Sequence, residues 1–164
     1  MQQLRFPTNE EKEVKSCAFT GHRELGEDFS LRALKKEIKA LIAKGVDTFY
    51  NGMAIGFDLA AAEIVIGLKR WNSKLKLIAC IPCPNQDKYF SEKDKKRYAK
   101  ACKKADETVI LSDKYTPYCM QARDRYMADR ADVLLTYCKK NTGGTAYTVK
   151  YFQKTHPENE IIFL

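Results

Sequence analysis

Short apolar runs alternate with longer amphipathic segments along the chain from Val14 onward. The short runs are rich in β-branched and aromatic residues, which is typical of strands. They comprise VKSCAFT (14–20), DTFYN (47–51), KLKLIACI (74–81), ETVILS (107–112), DVLLTYC (132–138) and EIIFL (160–164). This pattern predicts about six strands.

The segments between these runs carry apolar residues at helical spacing. In the first, Leu34, Ile38 and Leu41 recur on one face before Gly45 ends the pattern. The predicted helices cover 31–42, 59–67, 92–104, 119–130 and 145–154. Strands that alternate with helices of this length predict βαβ units with right-handed crossovers. We therefore expect an α/β fold with a mostly parallel central sheet and helices on both faces.

The length of 164 residues and the hydrophobic content of 45% suffice for one sizeable core. Residues 1–13 are polar and contain Pro7, so we expect a loose N-terminal arm followed by a single domain over 14–164. No apolar stretch has the length of a membrane span, and the first residues lack the apolar block of a secretory signal. These features predict a cytoplasmic protein without a membrane partner.

The six cysteines do not form an evident disulfide or metal framework. Cys17, Cys80 and Cys138 lie in apolar runs that predict core strands, so we expect reduced thiols. Cys80 and Cys83 form CIPC, but redox motifs of this spacing need an exposed first cysteine at a helix start. No second ligand pair accompanies them, so no metal site is predicted.

Glycine-containing turns follow three of the predicted strands. TGHR (20–23) follows the first strand, NGMAIGFD (51–58) the second and NTGGT (141–145) the fifth. In a parallel sheet these turns meet at one edge, where helix N-termini offer N–H groups suited to phosphate. Each turn taken alone is also explained by the need of glycine in ordinary turns. Their combination favours a nucleotide-type ligand.

Several side chains of these segments have suitable chemistry. Arg23 could pair with a phosphate and His22 could donate a hydrogen bond or transfer a proton, although a solvent-facing pair explains them equally well. Asp58 could accept ribose hydroxyls or cap the helix that follows. Arg123 is predicted near the same sheet edge, on a helical face that it shares with Tyr126 and Arg130.

Other nucleotide motifs are missing from the sequence. The glycine spacing is not GxGxxG, and no glycine-rich loop ends in Gly-Lys-Ser/Thr. The formal net charge of +8 favours anionic partners in general. The basic segment 92–104 is typical of a solvated helix face, because few aromatic residues accompany its charges.

The chain resembles the YpsA-like family of the SLOG (SMF/DprA-LOG) superfamily of Rossmann-like domains. The resemblance runs from about residue 14 to 164 and depends on CAFTGHR, FYNGMAIGFDLAAAE, LIACIPCPNQ, YCMQARDRYMADRADVLLTY and GGTAYTV in this order. It implies a Rossmann-like three-layer fold that binds a nucleotide or nucleotide-derived ligand, of the ADP-ribose or NAD type, in sensing or signalling. Dimerisation would fit the superfamily, but the apolar pattern does not identify an interface.

The resemblance also implies which residues bind the ligand. Carried over by position, they are Gly21, His22, Arg23, Gly52, Met53, Gly56, Asp58, Arg123, Gly143, Gly144 and Thr145. One departure is Asp124, where the family often has asparagine after the arginine. Its additional negative charge is expected to weaken a phosphate contact or to alter the preference for base or sugar.

Two alternative functions remain open at this point. The related LOG enzymes, which cleave cytokinin riboside monophosphates, carry a glutamate shortly after Gly-Thr, where this chain has Ala146, Tyr147 and Thr148. A hydrolase would therefore depend on His22 or Asp58 for proton transfer. The DprA-like relatives and the positive charge suggest single-stranded DNA as a second, less favoured partner. Whether the protein is an enzyme stays open.

Overall fold

All six predicted strands are present and form one parallel sheet. The computed structural model describes residues 13–164, so the predicted arm lies outside the described residues apart from Glu13. The strands are β1 (Ser16–Gly21), β2 (Thr48–Asn51), β3 (Lys76–Ile81), β4 (Glu107–Ile110), β5 (Val133–Tyr137) and β6 (Glu160–Phe163). Every pairing between neighbouring strands is parallel.

The order of the strands creates a reversal point in the middle of the sheet. From β1 the chain adds β2, β3 and β4 on one side and then returns to place β5 and β6 on the other, in the order β4-β3-β2-β1-β5-β6. The carboxyl ends of β1 and β5 are adjacent, with Gly21 opposite Tyr137. Open parallel sheets bind ligands in the crevice at such a point, because the two connecting loops diverge there.

Five helices cover the two faces of the sheet. They are α1 (Leu31–Ala43), α2 (Phe57–Lys69), α3 (Glu92–Lys104), α4 (Cys119–Arg130) and α5 (Gly144–Thr155). Helix α2 packs against α1 and α3, whereas α4 packs against α5. Alternate residues of β1 serve the two resulting cores, because Phe19 packs with Phe49 and Ala18 with Phe152. This arrangement confirms the α/β Rossmann-like three-layer fold.

The helix starts differ in a way that affects the site. Helices α1 and α3 are preceded by the N-cap residues Ser30 and Ser91, whose hydroxyls accept backbone N–H groups of the first turn. Helices α2 and α5 begin after Gly56 and Gly143, and neither has a side-chain cap. In α2 the Phe57 N–H donates instead to the His22 carbonyl at 3.2 Å and the Leu59 N–H to the Ala54 carbonyl at 3.1 Å. The first N–H groups of α5, at Gly144 and Thr145, are available to an acceptor from another molecule.

All six cysteines are free, and Cys80 is fully buried within β3. No helix among residues 13–164 has the length and apolar character needed to cross a bilayer.

Candidate functional site

A cleft of about 290 Å³ lies at the carboxyl end of β1 and the start of α5, and we call it the switch-point cleft. It is lined in part by the predicted residues Gly21, His22, Arg23, Asp58, Arg123, Gly144 and Thr145. Four other predicted residues, Gly52, Met53, Gly56 and Gly143, are not part of this lining. The fold therefore brings together residues from all three glycine-containing turns and from α4.

Two of the predicted glycines, Gly21 and Gly52, have a packing role within the protein. A Cβ atom on Gly21 would lie 2.3 Å from the Phe57 ring, and one on Gly52 would lie 2.6 Å from Arg123 Nη1. Both distances are too short for real contacts, so these glycines make room for neighbouring side chains. Met53, which follows Gly52 in the turn after β2, is fully buried in the core. A ligand role for these positions stays a prediction.

Gly143 and Gly144 differ from the other glycines of the site. A Cβ atom on either would meet no atom within 4 Å, so packing does not require glycine at these positions. Gly143 has a φ of +95°, which favours glycine, and Gly144 opens α5. The turn before α5 therefore has room for another molecule to approach the helix N-terminus.

Asp58 is a buried carboxylic acid beside the cleft, with only 6% of its surface exposed. Its Oδ2 accepts the N–H of Ala54 at 3.4 Å, and its Oδ1 has no hydrogen-bond partner among the described residues. Burial raises the pKa of Asp58 to about 7, although the nearby Arg123 acts in the opposite direction. The helix-capping alternative is wrong, because α2 begins after Gly56 without a side-chain cap.

Arg123 points into the protein and is only 5% exposed, whereas Arg130 is exposed. The prediction that the two arginines share one face of α4 is therefore wrong. Its Nη1 donates to the backbone oxygens of Gly52 at 2.7 Å and Cys80 at 3.4 Å. Its Nε donates to Asp124 Oδ1 at 2.8 Å. Only Nη2, 3.8 Å from the Met120 sulfur, retains capacity for a strong ligand contact.

The buried charges of this region do not balance when both acids are ionised. Arg123 forms its salt bridge with Asp124, whose side chain is 13% exposed. Burial raises the pKa of Asp124 as well. One guanidinium therefore faces two buried carboxyl groups, because Asp58 lies near the same arginine. A proton on one acid would remove the excess negative charge, and Asp58 is the acid without a salt bridge.

His22 connects the loops that follow β1 and β5. Its Nε2 accepts the backbone N–H of Lys139 at 2.8 Å, and its ring packs edge-on against Tyr137. Partial burial, with Lys140 and Lys139 nearby, lowers the pKa of His22. The neutral ring therefore has a structural role, and only Nδ1 is left for a ligand or a proton.

Replacing His22 by alanine is expected to lower the free energy of unfolding at pH 8 by about 1 kcal/mol, through loss of this hydrogen bond. The folded pKa is lowered, so the stabilisation is present above the ordinary histidine pKa and is lost as the pH falls through the folded value. Urea unfolding of both proteins from pH 5 to 8 should show the gap closing towards acid. A gap independent of pH would contradict the acceptor role.

Two residues with a role at the site were not identified as such from the sequence. Asn51 is fully buried at the end of β2, and its side chain donates to the Asp58 carbonyl and accepts from the Met53 N–H, each at 2.8 Å. Tyr137 donates to Asp28 at 2.6 Å and accepts the Gly26 N–H at 3.2 Å. An asparagine that ends an apolar strand before glycine is the signal that could have identified Asn51.

Among residues 13–164, no three histidine, cysteine or acidic side chains come together as metal ligands.

The fold is that of a Rossmann-like α/β domain with a cleft at the carboxyl edge of its sheet. A family model described as the YspA SLOG family matches residues 26–163, and the chain belongs to this family. A UPF0398 protein of Halalkalibacterium halodurans is 26% identical over 136 residues, which cover 81% of this chain and 72% of that protein. The SPbeta prophage-derived protein YoqJ of Bacillus subtilis is 31% identical over 66% of this chain and 70% of its own length.

Two solved structures with the same fold are longer proteins. DNA processing protein A from Streptococcus pneumoniae has a TM-score of 0.65 and 18% identity, over 92% of this chain and 50% of that protein. The Helicobacter pylori protein of that name also has a TM-score of 0.65, with 17% identity over 92% and 65%. The chain thus spans only part of these proteins. Family membership and shared fold fit nucleotide or DNA binding in broad terms.

Proposed function

We propose that residues 14–164 form a domain that binds a nucleotide or nucleotide-derived ligand, of the ADP-ribose or NAD type, in a sensing or signalling role. The observation that carries this proposal is the convergence of an uncapped helix N-terminus and a buried acid with an unpaired oxygen in one cleft. Phosphate and ribose hydroxyls are the groups that such a pair recognises.

The phosphate is assigned to the N-terminus of α5. Gly144 and Thr145 line the cleft there, and their N–H groups belong to the first helical turn, which has no intrahelical acceptors. The helix dipole favours a negative charge at this end. Arg23 lines the same cleft with an exposed side chain and is the cation assigned to the phosphate, since most donors of Arg123 are already used within the protein.

The ribose is assigned to Asp58. A sugar hydroxyl can donate to the carboxylate or accept from the carboxylic acid, so either protonation state can form a bond. Asn51 and Gly52 hold this part of the turn through bonds to the Asp58 carbonyl and to Arg123. A ribose bonded to Asp58 would lie between the N-termini of α2 and α5, next to the phosphate assigned to α5.

A valine at position 144 is expected to weaken binding at least tenfold, about 1.4 kcal/mol, with little change in the stability of the free protein. The side chain has open space within the protein but would block approach to the α5 N-terminus. Calorimetric titration with AMP, ADP-ribose and NAD measures the affinity, and thermal unfolding measures the stability. Gly67→Val is the matched control, since Gly67 is also helical with open space around it but lies away from the cleft.

The affinities of the wild type, Gly144→Val and Gly67→Val distinguish binding at the α5 N-terminus from binding elsewhere. Binding by the wild type and by Gly67→Val, but not by a folded Gly144→Val protein, supports the proposal. Equal affinity in all three proteins would assign the ligand to another surface. No heat and no thermal shift with any of the three nucleotides would refute this ligand class, since a ligand at about 100 times its Kd adds about 2.7 kcal/mol.

Single-stranded DNA binding is the second candidate. The Helicobacter pylori protein with the same fold is described by its single-stranded DNA binding mode, and this chain has a formal net charge of +8. Binding of an oligonucleotide through phosphates should weaken steeply as salt is raised, because counterions are released. Absence of binding at low salt would eliminate this candidate.

A nucleotide hydrolase is the remaining alternative, and Asp58 is favoured over His22 as its proton donor. The pKa of Asp58 is raised to about 7 by burial, whereas His22 Nε2 is occupied by the Lys139 N–H. Release of free base from AMP or NAD, lost in Asp58→Asn, would support this activity.

A further inference from the structure

A second cleft adjoins the switch-point cleft at the carboxyl ends of β3 and β4. Its volume is about 780 Å³, and we call it the tyrosine cleft because Tyr89 and Tyr115 line it together with Gln86 and Lys88. Met120 lines both clefts. The two cavities therefore lie side by side along one edge of the sheet.

The side chains of the two tyrosines in this cleft are largely exposed and are not part of the core. Tyr89 is 89% exposed and Tyr115 is 71% exposed. The Lys88 ammonium lies 5.4 Å from the Tyr89 ring centroid, and no aromatic ring of residues 13–164 stacks on Tyr115. Exposed rings beside cationic side chains are the surfaces on which nucleobases stack.

Gln86 connects the two clefts through a shared acceptor. Its Nε2 donates to the Gly52 carbonyl at 3.0 Å, and the same oxygen accepts from Arg123 at 2.7 Å. The amide is thereby held in one orientation, and its Oε1 is buried without a hydrogen-bond partner among the described residues. An unpaired amide oxygen favours a donor such as the exocyclic amine of adenine.

The switch-point cleft is too small to hold a whole nucleotide, so the base needs a second binding surface beside it. Sites for complete small ligands usually measure about 300–1,000 Å³, and the switch-point cleft alone, at about 290 Å³, is at the lower limit. It suits a phosphoribosyl group better than a whole nucleotide. The base must then lie outside it, and the tyrosine cleft offers aromatic surface next to Met120.

We propose that the tyrosine cleft is the base-binding subsite of this domain, in which the base of an adenine nucleotide stacks on Tyr115 while its phosphoribosyl group occupies the switch-point cleft. This assignment rests on the proposed function, because it takes the phosphoribosyl position from it. The subsite assignment specifies that the base lies beyond the carboxyl ends of β3 and β4, and it names Tyr115 and Gln86 as the residues that recognise the base.

The experiment compares AMP with ribose 5-phosphate by calorimetric titration. The wild type is expected to bind AMP more tightly than ribose 5-phosphate. In Tyr115→Ala the affinity for AMP should fall about tenfold, within the range measured for base–aromatic stacking, while the affinity for ribose 5-phosphate stays the same. Tyr115→Phe should restore AMP binding, because it keeps the ring.

Tyr118→Ala is the matched control. Tyr118 is also 71% exposed and lies three residues away, but it is not part of the cleft lining. AMP affinity unchanged in Tyr115→Ala, or an equal loss for Tyr118→Ala, would overturn the base subsite while leaving the phosphoribosyl site intact. Failure of the wild type to bind AMP and ribose 5-phosphate, with ADP-ribose or NAD still bound, would overturn the subsite alone, whereas failure with all four compounds would refute the proposed function and the subsite with it. Tyr115-dependent binding of an oligonucleotide without AMP binding would replace both by the DNA alternative.

Discussion

Asparagine in place of Asp58 is expected to raise the free energy of unfolding at pH 8 by roughly 2–4 kcal/mol. Asp58 is buried with one unpaired oxygen, and its pKa is raised to about 7 against an ordinary value of 3.8. Ionisation therefore destabilises the folded protein. Asparagine keeps an acceptor for the Ala54 N–H, removes this charge and leaves Arg123 paired with Asp124.

The direction of the pH dependence follows from linkage. A raised folded pKa means that the folded state retains the proton longer than the unfolded chain, so wild-type stability declines as the pH rises from 3.8 to about 7. The advantage of Asp58→Asn should therefore be small near pH 4, grow across this interval and level off above it. Urea unfolding of both proteins at several pH values measures the difference.

The exposed Asp113 provides the control for this experiment. Its replacement by asparagine should change stability by no more than about 0.5 kcal/mol. Parallel pH profiles for the wild type and Asp58→Asn, or a less stable Asp58→Asn protein at pH 8, would mean that Arg123 fully compensates an ionised Asp58. The buried acid would then be stabilising, and its role in binding would have to be measured separately.

The secondary structure was predictable because local periodicity determines it. The expected bounds 92–104 and 119–130 coincide with α3 and α4, and the strand bounds lie within two residues of those observed. Strands in a parallel sheet are continuous apolar runs, and the intervening helices are amphipathic, so the two periods are easily distinguished. The meeting of the turns after β1, β2 and β5 at one edge followed from this alternation alone.

The inward direction of Arg123 was not predictable, because its acceptors come from distant parts of the chain. Arginine is rarely buried, and a helical pattern assigns it to the solvent face unless its partners are known. Here the partners are backbone oxygens at the ends of β2 and β3, at Gly52 and Cys80. Only the strand order β3-β2-β1 brings these carbonyl groups to α4. For the same reason the sequence did not show that Asp58 and Asp124 both lie near Arg123.

The glycines were interpreted from the sequence as places of close ligand approach. At Gly56, however, the backbone conformation and the neighbouring backbone atoms of the protein already require glycine. Its φ is +79°, and a Cβ atom would lie 2.3 Å from the carbonyl oxygen of Arg23 and 2.7 Å from that of His22. These are backbone atoms of the turn after β1. The turn is also bonded to α2, since the Phe57 N–H donates to His22 at 3.2 Å.

Gly56→Ala is therefore expected to lower the free energy of unfolding by about 3 kcal/mol or more, through backbone strain and the clash together. Gly67→Ala is the matched control within α2, where the added methyl group meets open space and should stabilise by up to about 1 kcal/mol. Urea unfolding compares both variants with the wild type. A Gly56→Ala protein as stable as the wild type would show that the turn can move away. Since His22 and Arg23 line the switch-point cleft, nucleotide affinity measured on that protein would then report whether this movement deforms the site.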